Sequence, residues 1–262
     1  MTAGVENKIV LVTGGSQGIG KAISHKLLNA GAIVAIAALD DSALKNASAE
    51  FQNAKFKSYA ADLADELQID SVVRSVVRDL GPIDILINNA GISGPTLPAH
   101  EVPILDWDRT LNINLRTPFL LSRAVIPAMV ERKTGTIINV SSIAGKMAYP
   151  LRTPYAASKW GLIGLTLTLA QELGPYNVRA NVICPGPTQT EMIDSVITAR
   201  ARAAGVDVAV MLREYTRAAA LKRMVLPEEV ADLALFLCSP EASAITGQAI
   251  DVSAGYGFRM GE

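Results

Sequence analysis

Tyr155 and Lys159 stand four residues apart in the stretch TPYAASKWG (153–161), in a chain of 262 residues with only two histidines. On a helix this spacing puts both side chains on one face, a turn apart. Pro154 suits the first helical position, and Thr153 suits the cap before it. Tyr155 then falls in the first turn, where the Lys159 ammonium and the positive helix end both favour a phenolate. Together they lower a pKa that starts near ~10. Such a pair donates and accepts a proton near neutral pH without histidine. Taken alone, the spacing more often marks an amphipathic helix with a Tyr and a Lys on its rim.

A second stretch, LVTGGSQGIGKAISHKLLNAG (11–31), puts Gly14, Gly18 and Gly20 where a strand turns into a helix. Glycine there allows a tight turn, close approach of backbone to a pyrophosphate, and close helix–strand packing. The helix amino end offers N–H groups and a positive dipole to phosphates. No Gly-Lys-Ser/Thr follows, so this is not a P-loop; it reads as a dinucleotide site.

These groups need elements to position them. Short, β-branched apolar runs are expected as strands at 8–13, 32–38, 55–60, 83–91, 135–142, 177–186 and 247–255. Continuous apolar character suits strands buried on both faces of a parallel sheet. Helical periodicity fills 18–30, 42–52, 66–80, 104–132, 154–173 and 227–238. Strand and helix alternate without a linker, which predicts one doubly wound α/β domain over 1–262. From 187 to 224 the chain runs without a strand as two amphipathic helices interrupted at Gly205. This insertion is placed to cover a ligand at the carboxyl end of a strand, although a solvated helical hairpin fits the same charges.

Half the residues are hydrophobic, 19% are charged and the net charge is −1, so a large core is available. That balance has no electrostatic footprint for nucleic acid or an anionic membrane. The longest apolar stretch, WGLIGLTLTLA, is too short to span a bilayer. Cys184, Cys238, His25 and His100 have no metal-site spacing, and no metal is expected. Both cysteines read as buried small hydrophobes. MTAGVENKIV leads into a strand-like run with no signal-peptide pattern, and the expectation is a reduced, cytoplasmic protein.

Four motifs in order carry a resemblance: Thr13 to Gly20 as TGxxxGxG, NNAG at 88–91, NVSS followed by YAASK, and NVICPGPTQT after the sixth strand. The chain resembles the short-chain dehydrogenase/reductase family, compact form, from end to end. The resemblance implies a Rossmann-type, mostly parallel seven-stranded sheet with helices on both faces. It also implies hydride transfer between a nicotinamide cofactor and a small alcohol or ketone. By the same resemblance Tyr155 is the general acid/base, Lys159 lowers its pKa and holds the nicotinamide ribose, and Ser142 orients the substrate oxygen ahead of its neighbour Ser141. Asn114 holds a water linking the lysine to solvent, with Asn112 as the competing choice.

The cofactor contacts implied are Gly14, Ser16, Gln17, Gly18, Ile19 and Gly20 in the turn, and Asp62 and Leu63 at the adenine. Asn89, Ala90 and Gly91 line the groove, and Pro185, Gly186, Thr188 and Thr190 lie beside the nicotinamide and phosphates. Pro185 and Gly186 also fit an ordinary turn, and Asp62 a helix cap. The family commonly forms tetramers through helices matching 154–173 and 227–238, where Gly161 and Gly164 allow close approach.

An NAD enzyme of the family usually ends its second strand with an aspartate. That place reads as Ala38, then Leu39, with Asp40 and Asp41 following. Two carboxylates repel a ribose phosphate and no guanidinium is there to pair with it, so NAD is expected ahead of NADP. The alternatives are an NADP-dependent reductase of 3-oxoacyl-type ketones and a dinucleotide-binding regulator without catalysis. Arg152, three residues before Tyr155, is either surface charge or a reader of an anionic substrate group, with Arg213 and Arg217 as further arginines in the strandless segment.

Overall fold

β1 (Ile9–Thr13) is buried at every position, as a strand covered on both faces must be. It pairs in parallel with β2 (Ile33–Ala38) on one side and β4 (Ile85–Asn88) on the other. With β3 (Phe56–Ala60), β5 (Gly135–Val140), β6 (Val178–Pro185) and β7 (Ala249–Val252), the order is β3-β2-β1-β4-β5-β6-β7. Every strand pairing is parallel, where one antiparallel edge would have satisfied the expectation. This computed structural model describes residues 4–52 and 55–257, so the ends of the expected 1–262 domain lie outside the described residues.

One face of the sheet is covered by α1 (Gly18–Asn29), α2 (Asp41–Phe51) and a later helix, α9 (Pro227–Cys238). Ile23, Leu27, Leu44, Val230 and Leu237 bury their side chains there. The other face is covered by α3 (Glu66–Leu80), α5 (Thr117–Arg132) and α6 (Thr153–Leu173), through Ile69, Val76, Leu121, Val125 and Leu169. The strand order reverses between β1 and β4, and a crevice opens there beyond the strand carboxyl ends.

Two expected elements are interrupted. The strand over 83–91 ends at Asn88, because Asn89 and Ala90 turn their N–H groups to Thr13 Oγ1, each at 3.0 Å. The helix over 104–132 divides into α4 (Ile104–Leu111), a π-helical turn (Asn112–Arg116) and α5. In that turn the Thr117 N–H reaches back five residues to the Asn112 carbonyl. Pro118 has no N–H to offer Asn114, so the wider turn costs the helix less at this point.

Between Pro187 and Met224 the chain forms α7 (Glu191–Ala204) and α8 (Val208–Ala218). Gly205 ends α7 at φ 65°, and Asp207 caps α8 by accepting from Ala209 N at 2.7 Å. The two ends of the segment are tied to each other. Gln189 N donates to Val225 O and Val225 N to Pro187 O, both at 2.9 Å. Ile197, Tyr215 and Met224 form a small separate core beneath the two helices.

Candidate active site

The crevice is a cleft of about 670 Å³. Its floor at one end is the glycine turn, where Gly14, Ser16, Gln17, Gly18 and Ile19 line the wall. Gln17 stands at the α1 N-cap without a side-chain cap bond, and the first turn holds no acid. The orphan N–H groups of that turn are therefore left for a ligand, as a pyrophosphate requires. Gly18 adopts φ 50°, and a Cβ there would stand 3.2 Å from Thr190 Cγ2, in the space the turn keeps open. These features fit a dinucleotide. Gly20 is different: it does not line the cleft, and a Cβ on it would collide with the Gly14 carbonyl and the Asn89 amide.

Asn89 braces that turn, donating from Nδ2 to Thr13 O at 3.0 Å and Gly14 O at 3.2 Å. With Ala90 and Gly91 it lines the middle of the cleft. Pro185, Gly186, Thr188 and Thr190 line the opposite wall, after β6. Asp62 and Leu63 lie outside the cleft lining. Asp62 Oδ1 accepts from Ala64 N at 2.9 Å, so its carboxylate closes the turn ahead of α3. The cap of α3 itself is Asp65, which accepts from Leu67 N at 2.8 Å. The Leu63 side chain is buried, and its carbonyl accepts from Thr117 Oγ1.

Ser142, Tyr155 and Lys159 meet at the other end. Ser142 follows β5 and caps a 3-10 turn, accepting from Ala144 N at 3.1 Å. It also lies beside the Tyr155 side chain, whose ionised form it favours. Ser141 points the other way, donating to the Lys159 carbonyl at 2.9 Å. Thr153 is not the cap expected: α6 starts on it, with Arg152 at the N-cap making no side-chain cap bond.

Lys159 Nζ donates to Val140 O at 2.9 Å and stands 5.7 Å from the Tyr155 ring centre. Burial brings its amine down from 10.5 to about 8. The assembled site shifts the Tyr155 pKa opposite to the expected lowering. Burial raises the phenol, against smaller opposing effects of the neighbouring Ser142 and the Arg152 charge.

Asn114 is fully buried behind Gly91. It accepts from Ile92 N at 2.8 Å and donates to Ile92 O at 2.9 Å and Ser158 Oγ at 3.1 Å. Asn112 faces away, donating to Ala64 O at 3.2 Å.

Arg152 is 2% exposed, which removes the surface reading. Arg213 and Arg217 are exposed on α8, whose buried side carries Tyr215; the arginine turned toward the cleft loop is Arg200, over the Tyr149 ring.

With the glycine turn and the Ser–Tyr–Lys cluster in one cleft, the family match covers their common frame: residues 8–201 match the short chain dehydrogenase model. The chain belongs to the short-chain dehydrogenase/reductase family. It is 38% identical over 260 residues to the 3-oxoacyl-[acyl-carrier-protein] reductase FabG of Thermotoga maritima, spanning 96% of this chain and 98% of that one. It is 33% identical to the 2,3-dihydro-2,3-dihydroxybenzoate dehydrogenase of Bacillus subtilis, spanning 96% and 97%. Among solved structures, an NAD+-bound xylitol dehydrogenase superposes with a TM-score of 0.92 at 32% identity, covering 96% of this chain and 99% of that one. An actinorhodin polyketide ketoreductase with NADPH gives 0.93 at 32% identity, covering 97% and 98%. This short-chain dehydrogenase/reductase is thus an oxidoreductase working between an alcohol and a ketone.

The sequence did not reveal all of its cleft. Lys21, Ser93, Tyr149, Met192, Ile193 and Val196 also line it. Lys21 sits one turn into α1 and is paired with Glu50 at 2.6 Å. The α7 residues carry only an amphipathic signal, which does not say what they face. No group of His, Cys, Asp and Glu among the described residues is arranged to hold a metal ion. No helix among them is long and apolar enough to cross a membrane.

Proposed function

We propose an NAD-dependent enzyme that interconverts a secondary alcohol and a ketone, with Tyr155 as the proton donor and acceptor. The observation that carries it is the Ser142–Tyr155–Lys159 cluster facing the same cleft as the uncapped α1 amino end. The nicotinamide supplies the hydride chemistry when bound. Tyr155 gives its proton to the ketone oxygen in reduction and takes the hydroxyl proton in oxidation. Ser142 hydrogen-bonds that oxygen as charge develops on it. Lys159 supplies a nearby positive charge and a donor for the ribose, and Asn114 holds the Ile92 backbone and Ser158 beside it.

Support for NAD comes from the end of β2. Leu39 and Asp40 line the cleft there, and Asp40 stays ionised as the cap of α2. Lys21 is the cleft cation of that end among the described residues, and Glu50 already neutralises it. A second reading, NADP-dependent reduction of a 3-oxoacyl substrate, draws on the 38% identity to the Thermotoga reductase.

We place the enzyme in the cytoplasm, where both free, buried cysteines stay reduced. For the assembly we propose a homotetramer through α6 and α9. Trp160 and Leu167 on α6 and Phe236 on α9 are exposed, and a Cβ at Gly164 would have nothing within 4 Å, whereas Gly161 packs on Leu115 of its own chain. Light scattering checks the mass. Initial rates with NAD and NADP on a panel of secondary alcohols and ketones test the function. Oxidation that runs tenfold better with NADP overturns the NAD assignment, and a panel with no turnover overturns the reaction.

A further inference from the structure

Arg152 is among the largest fully buried side chains of the protein, and it lies against the reacting end of the cleft. Its guanidinium carbon stands 5.3 Å from the centre of the Tyr155 ring. Nη2 donates to Ser93 O at 2.6 Å and Nη1 to Thr96 Oγ1 at 3.1 Å. Nε is buried and has no hydrogen-bond partner. No ion pair with a carboxylate is found for Arg152 among the described residues. A buried guanidinium without a counter-charge is strongly unfavourable, and a neutral glutamine could brace Ser93 and Thr96 at lower cost.

Among the described residues, its surroundings add a positive charge and no paired carboxylate. Arg200, from α7, stacks over the ring of Tyr149 at 5.1 Å and over that of Tyr215 at 6.0 Å. The two phenols hydrogen-bond to each other at 3.2 Å, so aromatic faces hold Arg200 where a carboxylate could have done so. The carboxylates that line the cleft, Asp40 and Glu191, follow β2 and Thr190, and neither is paired with Arg152.

We propose that the substrate is a small hydroxy acid or keto acid whose carboxylate pairs with the Arg152 guanidinium, with Arg200 adding a second positive charge. The inference rests on the alcohol–ketone reading above and narrows it. A free carboxylate close to the reacting carbon sets such a substrate apart from an acyl chain carried as a thioester, which is neutral at that place. In oxidation the nicotinamide dinucleotide would supply the acceptor for the hydride of the hydroxyl-bearing carbon, and the hydroxyl proton goes to the Tyr155 phenolate, which becomes the phenol. The carboxylate keeps its charge throughout, so its contact orients substrate and product alike.

The test pairs each hydroxybutanoate isomer with its own primary amide, alongside uncharged secondary alcohols, on the wild-type enzyme with either dinucleotide. The acid is expected to exceed its amide in kcat/KM by at least about tenfold, as a charge-assisted bond provides. Arg152→Gln should bring that ratio toward one by raising KM for the acid. Arg152→Lys, which keeps the charge and loses the planar fork, should fall between. Should Arg152→Gln fail to fold, the wild-type ratio and Arg152→Lys decide. An amide as good as its acid, or a ratio unchanged in a folded Arg152→Gln, overturns the carboxylate contact. Turnover confined to uncharged alcohols overturns this inference and leaves the alcohol–ketone reading standing; no turnover of any compound overturns that reading instead.

Discussion

Lys159 gives its hydrogen bond to the Val140 carbonyl, 2.9 Å away, and presents its charge to the Tyr155 ring from 5.7 Å. The amine is buried, and a pKa of about 8 follows from that burial. Burial thus pushes the two groups in opposite directions, the lysine toward its neutral form and the phenol toward keeping its proton.

The sign of the consequence is set by which state holds the proton. Between about 8 and 10.5 the unfolded chain keeps the lysine proton while the folded chain has released it, so this group makes stability rise with pH. Lys159→Met removes the titration. Between pH about 7 and about 9.5 the wild type should gain roughly 2 kcal/mol relative to that variant. Urea unfolding at both values measures it; parallel pH dependences would show that the amine titrates as it does in water.

Tyr155→Phe keeps the ring that Arg152 and Lys159 face and removes the proton. Turnover should drop by at least ~10²-fold with dinucleotide affinity retained. Rates and a fluorescence titration separate the two, and a variant within threefold of wild-type turnover refutes the general-acid role.

Cofactor choice should turn on Leu39 and Asp40. Ala38 is the last residue of β2, buried and paired with Ala60, so a guanidinium has no room there. Leu39 is 67% exposed and lines the cleft. Leu39→Arg with Asp40→Ser adds a phosphate partner, removes a charge and keeps a capping side chain on α2. The NADP-to-NAD ratio of kcat/KM should rise by about tenfold or more.

Asn114→Ala should unpair the Ile92 N–H and carbonyl inside the protein. A loss of about 1–3 kcal/mol in unfolding free energy is expected, measured by denaturant unfolding, with lower turnover. Asn112→Ala, which loses one bond to Ala64 O, serves as the comparison. Equal losses would mean that the π-helical turn does not single out Asn114.

Much of this was legible from local signals. The parallel α/β sheet follows from β-branched runs such as IVLVT and GTIINV alternating with helical periodicity, since strands covered on both faces have no polar side to show. The glycine turn and the Tyr155–Lys159 spacing also lie within single stretches of chain, where one turn of helix or one tight bend decides the geometry. Those features the sequence determined by itself.

Tertiary structure decided the rest, because burial and hydrogen-bond competition depend on segments far apart in the chain. Tyr155 was expected to ionise readily, yet desolvation in the assembled cleft outweighs the favourable influence of Ser142 and Arg152. Asp62 has the local look of a cofactor contact or a cap; its carboxylate closes a local turn onto Ala64 N, and only the assembly of distant segments sets that turn outside the cleft lining. Asn114 faces inward because the π-helical turn rotates it toward Ile92, a shift that the helical period of 104–132 does not announce. Arg152 is the sharpest case. An arginine in a loop carries no sign of its burial, and only the packing of Ser93, Thr96 and Tyr155 around it closes off water and leaves Nε unmatched.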